Sequence, residues 1–77
     1  MNKARRHTIE VLHTEIELVK EKIIAIRDEE QAYLDNMPEA LQASDKGKAA
    51  ENVIDSLENA TDSIDECLAA LEDALVE

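Results

Sequence analysis

Aromatic residues are almost missing from this chain: among 77 residues Tyr33 stands alone, with no Trp or Phe. Cys67 is the single cysteine, so no disulfide can form within the chain, and a lone thiol fits a reducing compartment. Gly47 is the single glycine, which excludes a Gly-rich phosphate-binding loop. There is no CxxC pair and no Ser-His-Asp arrangement. No apolar run reaches the roughly 20 residues that cross a bilayer, and the opening Met1–His7 has charges with no apolar stretch behind them. These absences predict a soluble, cytoplasmic protein that is not an enzyme, with no cofactor and no membrane partner.

Positive charge is also scarce. The formal net charge is −11. Residues 1–34 are nearly balanced, with six Lys/Arg against seven Asp/Glu, whereas residues 48–77 carry Lys48 against nine acids. A grip on a phosphate backbone needs a basic face, so direct nucleic-acid binding is disfavoured. An acidic surface instead keeps a small protein soluble or attracts a basic partner.

Two apolar stripes at helical spacing occupy the two halves. In the first, Ile9, Leu12, Ile16, Val19, Ile23 and Ile26 alternate steps of three and four. In the second, Ala50, Leu57, Ile64 and Leu71 recur every seven residues, joined by Val53, Ile54, Leu68 and Leu75. Such periodicity specifies amphipathic helices. The fold expected is all-α, a single domain over 1–77: an antiparallel two-helix hairpin with a first helix over about 3–34 and a second over about 46–76. Each stripe is doubled, by Ala4, Val11, Leu18, Ala25 and Ala32 in the first helix and by Val53, Ala60, Cys67 and Ala74 in the second. One hairpin partner covers one column. The second column predicts homo-oligomerisation, as a four-helix bundle or larger ring.

The connection over 35–45 is built around Pro38, which blocks smooth continuation of the first helix. Asn36 followed by Glu39 resembles a capping box, with a short helical turn expected over 38–42 and Ser44 or Asp45 capping the second helix. Antiparallel pairing is expected to bring Lys3, Arg5 and Arg6 toward Glu72, Asp73 and Glu77.

Candidate sites follow from these placements. Glu10 and His13 have the spacing of carboxylate-bridged bundles, but with His7 they flank the stripe, so they are expected to face solvent and hold no metal. Cys67, on the apolar column, is expected to be a buried structural thiol. Glu51, Asp55, Glu58, Asp62, Asp65 and Glu66 step along the second helix as a solvated face or as a decoy for a phosphate array. Lys3, Arg5 and Arg6 form the only basic cluster, and guanidinium forks suit phosphates. In a symmetric oligomer the N-terminus of one copy can reach the loop of another, where Tyr33, Asn36, Gln42, Ser44 and Lys46 add donors and an aromatic wall. That composite pocket suits a small phosphorylated ligand.

The opening Met-Asn-Lys-Ala-Arg-Arg, the run Asp28-Glu29-Glu30-Gln31 and the loop Asp35-Asn36-Met37-Pro38-Glu39-x-Leu41-Gln42-x-Ser44 resemble a family of small phage, prophage and Firmicute proteins. The likeness spans essentially the whole chain. Where such relatives often carry Glu-Arg-Gly after the loop, this chain has Asp45-Lys46-Gly47, which keeps the charge and loses the bidentate fork. The resemblance implies no catalytic residues. It favours a counter-defence role, and the architecture is similar to helical phage proteins that sequester cyclic-nucleotide immune signals as oligomers. The reading that follows is a non-enzymatic binding protein sequestering a nucleotide-like signal. The alternatives are an acidic mimic that blocks the basic groove of a host defence protein such as a nuclease, and a structural assembly module without a ligand.

Overall fold

Helix α1 starts at an extended Asn2, whose side-chain oxygen accepts the Arg5 backbone N–H at 2.8 Å. A cap of this kind is worth about 1 kcal/mol. From there α1 runs uninterrupted over Lys3–Asp35, because no glycine or proline falls inside it. The computed structural model describes residues 1–77 and continues with a single turn, α2 (Glu39–Gln42), and a second long helix, α3 (Asp45–Val76). There are no strands. The molecule measures 59 × 15 × 12 Å. A 33-residue helix is about 50 Å long, so the long dimension is that of one helix and the cross-section that of two.

The corner between the long helices is held by its backbone. The Asn36 N–H reaches the Ala32 carbonyl at 3.0 Å and the Met37 N–H reaches Leu34 at 3.1 Å, closing α1. Asn36 is thus the C-cap of α1, and Pro38, in extended conformation, is the N-cap of α2. The expected Asn36–Glu39 capping box is not formed, because Asn36 is spent on ending the preceding helix. Ser44 occupies the N-cap of α3, but its hydroxyl donates back to the Leu41 carbonyl and caps nothing.

Gly47 is the residue this corner cannot replace. A β-carbon built on it would lie 2.1 Å from the carbonyl oxygen of Gln42 and 2.7 Å from the Gln42 Cα. Its φ is not positive; the requirement is space, since the backbone of α2 lies directly on the first turn of α3. Around this contact sit the only buried residues, Met37, Gly47, Ala50 and Ile54.

Away from the corner the seam between α1 and α3 is half-buried throughout. On α3 it follows Ala50, Ile54, Leu57, Thr61, Ile64, Leu68, Leu71 and Leu75, alternating steps of four and three. On α1 it follows Arg6, Ile9, His13, Ile16, Lys20, Ile23, Arg27, Glu30 and Leu34. Three expectations are corrected here. Leu12, Val19 and Ile26 lie outside the seam, exposed by 43, 48 and 52%. His13 lies inside it. Cys67 is exposed, because its column borders the seam and the chain places nothing over that side.

Candidate functional site

Basic residues recur every seven positions on the seam face of α1: Arg6, His13, Lys20 and Arg27. Acids recur at the same interval on α3: Glu51, Glu58, Asp65 and Glu72. The two series mesh. Lys20 is salt-bridged to Asp65, Arg27 Nη2 lies 3.4 Å from Glu58, and His13 Nε2 lies 3.6 Å from Glu72. Ascending α1 therefore means descending α3, so the two helices run antiparallel. The fourth base, Arg6, lies beyond the end of the acidic series and donates to the Leu75 carbonyl. Long basic side chains bury their stems in the seam and deliver their charge to its edge. Half-exposed pairs contribute only about 0.2–1 kcal/mol each. Their larger effect is on alignment, since charged seam positions specify register.

His13 is the most constrained ionisable side chain. Its Nδ1 lies 3.2 Å from Glu17, while Nε2 is buried and without a hydrogen-bond partner, Glu72 being just out of reach. The expected solvent-facing position is overturned because its column is the ionic one, interleaved with Ile9 and Ile16. No three His, Cys, Asp or Glu side chains converge to hold a metal ion.

The residues named for ligand binding occupy both ends of the molecule. Lys3 and Arg5 are exposed at the start of α1 and make no ion pair, and Arg6 is engaged on Leu75. The expected approach to Glu72, Asp73 and Glu77 thus reduces to one arginine on one carbonyl. At the far end, Tyr33 and Lys46 are exposed. Gln42 has a structural post: its Nε2 donates to the Leu34 carbonyl at 3.1 Å and the Met37 carbonyl at 3.2 Å, tying α2 to the end of α1. Within one chain the two groups are separated by most of the 59 Å length.

The acidic candidates divide in the same way. Glu58 and Asp65 are engaged across the seam. Asp55 and Asp62 remain exposed and, with Glu58, Asn59 and Thr61, line a shallow open groove on α3. Apolar periodicity alone does not reveal the ionic ladder. The sevenfold recurrence of bases in one half and acids in the other is the signal that finds it. No protein-family model matches the chain, and no curated protein and no solved structure matches it.

Proposed function

We propose that this chain is a non-enzymatic helical hairpin that associates with further copies of itself and sequesters a small anionic, nucleotide-like ligand. The role is that of a phage-type counter-defence protein acting in the host cytoplasm. The observation that carries the reading is which cations are left over. Lys20 and Arg27 are used across the seam and Arg6 on Leu75, whereas Lys3 and Arg5 at one end, Lys46 and Lys48 at the other and Lys22 between them are exposed without an ion pair. Tyr33, exposed by 45%, stands beside the loop that carries Asn36, Ser44 and Lys46. Two cations at one end and a cation with an aromatic ring at the other make half a site each. A second copy joining the halves supplies guanidinium, ammonium and ring to one phosphate-bearing ligand.

Calorimetry against a panel of cyclic di- and trinucleotides tests the reading. Binding to the wild type is expected, and its loss in Lys3→Ala, Arg5→Ala and Lys46→Ala with unchanged helicity. Arg6→Ala is less informative, because it also unties Leu75. No binding by the wild type overturns the ligand reading.

The open acidic groove of Asp55, Glu58 and Asp62 favours a second reading, a mimic that occupies the basic groove of a host nuclease. It requires a salt-sensitive complex that weakens when Asp55 and Asp62 become Asn and Glu66 becomes Gln. Neither ligand nor partner leaves the third, an assembly module alone.

A further inference from the structure

We propose that a second copy of this chain docks face to face on one side of the helix pair, α1 antiparallel to α1, with the two-fold axis crossing at Val19. The proposal deepens the self-association in the reading above and stands apart from its ligand.

The docking side is defined by what each helix withholds from it. On α1, Leu12, Val19, Ile26 and Tyr33 recur every seven residues and are all exposed. They lie beyond Ile9, Ile16 and Ile23 from the ionic column. In antiparallel helices the α3 column Val53, Ala60, Cys67 and Ala74 borders that same side, with Ala49, Ser56, Ser63 and Ala70 next to it. None of these eight α3 positions is charged, although residues 48–77 hold nine acids. Glu58, Asp65 and Glu72 emerge on the opposite side, where they meet Arg27, Lys20 and His13. One side of the pair therefore carries an apolar column on α1, bordered by Glu15, Lys22 and Glu29, and is small and uncharged on α3.

Area and charge identify the occupant as another copy. The chain exposes 5554 Å², against about 4,700 Å² for a compact monomer of its mass. The excess of roughly 850 Å² is close to the ~800 Å² that each partner contributes to a stable interface. Helix α1 is also unbalanced end to end. Arg5, at its start and on the same column as Leu12, makes no ion pair, nor does Glu29, which borders that column near the other end. Arg5, in the first turn, opposes the helix dipole where it stands. A second α1 turned end for end brings Arg5 of each copy within about one helical turn of Glu29 of the other. Of the α3 acids, Glu58, Asp65 and Glu72 are engaged in the ladder within the chain, and the exposed Asp55 and Asp62 stand off the docking side.

Symmetry then places the axis. Val19 is the midpoint of Lys3–Asp35, so rotation about it superposes the exposed column on itself. Leu12 meets Ile26 of the second copy, and Arg5 meets Tyr33 of the second copy, a guanidinium over a phenol ring. The unpaired cations of one copy thereby reach the loop end of the other.

Cross-linking tests this in full-length Cys67→Ser protein. Leu12→Cys and Ile26→Cys are each expected to resist a short bismaleimide alone, since copies of either residue lie about 21 Å apart along the helices. Mixed together they are expected to cross-link, and Val19→Cys to cross-link to itself. Light scattering of the wild type should give about twice the 8.6 kDa chain mass. Val19→Glu, which sets two carboxylates together at the axis, should weaken the dimer roughly 100-fold or more while leaving each chain helical. A monomeric wild type, self-cross-linking of Leu12→Cys, or cross-linking of Ile24→Cys on the other side overturns the proposal. A dimer with the expected cross-links that binds no nucleotide overturns only the ligand reading.

Discussion

Gly47 lies so close beneath Gln42 that the missing β-carbon would sit 2.1 Å from the Gln42 carbonyl oxygen. The obstruction is backbone, which cannot swing aside as a flexible side chain would. Alanine raises intrinsic helix propensity by about 1 kcal/mol over glycine. Here the clash outweighs that gain, and Gly47→Ala is expected to destabilise the chain by about 1–3 kcal/mol. Urea denaturation followed by far-UV circular dichroism measures it. A variant more stable than wild type contradicts the contact.

Gln42 tests whether the loop residues serve ligand or fold. Gln42→Ala leaves the Leu34 and Met37 carbonyls without their side-chain donor. A loss of about 1 kcal/mol is expected, with or without any ligand present. Unchanged thermal stability in the ligand-free variant would show that the amide does not hold the corner.

The ionic ladder predicts a charge-reversal rescue. Lys20→Glu places a carboxylate against Asp65 and should lower stability by roughly 0.5–1 kcal/mol. Asp65→Lys in the same chain restores the pair with its sign reversed and should recover most of the loss. A double-mutant cycle in thermal unfolding reads the coupling. Additive losses would mean that the pair does not align the helices.

The free part of the acidic groove predicts a gain. Asp55 and Asp62 stand at three- and four-residue spacing from Glu58, and like charges at that spacing cost about 0.2–0.5 kcal/mol each. Asp55→Asn with Asp62→Asn should raise the melting temperature modestly, and the gain should shrink in high salt. A fall in melting temperature would mean that these carboxylates make stabilising contacts.

Much of this molecule is legible locally. Apolar residues at three- and four-residue intervals specify long helices, and Pro38 breaks them where its ring and missing N–H forbid continuation. The small turn near Pro38 also follows from local chemistry, although Asn36 serves the helix before it. What local pattern cannot supply is the rotation of α1 about its own axis. Two apolar columns compete for the seam, and periodicity ranks Leu12, Val19 and Ile26 equal to Ile9, Ile16 and Ile23. Tertiary structure decides between them through long-range charge. Arg6, His13, Lys20 and Arg27 turn toward α3, three of them toward acids and Arg6 toward a carbonyl. That rotation carries Leu12, Val19, Ile26 and Tyr33 outward and takes His13 inward. Cys67 stays uncovered, and the Gly47–Gln42 contact exists only because the chain folds back on itself. Helices are set by neighbours in sequence; which faces stay open is set by partners far apart along the chain, such as the charge pairs Arg27–Glu58 and Lys20–Asp65.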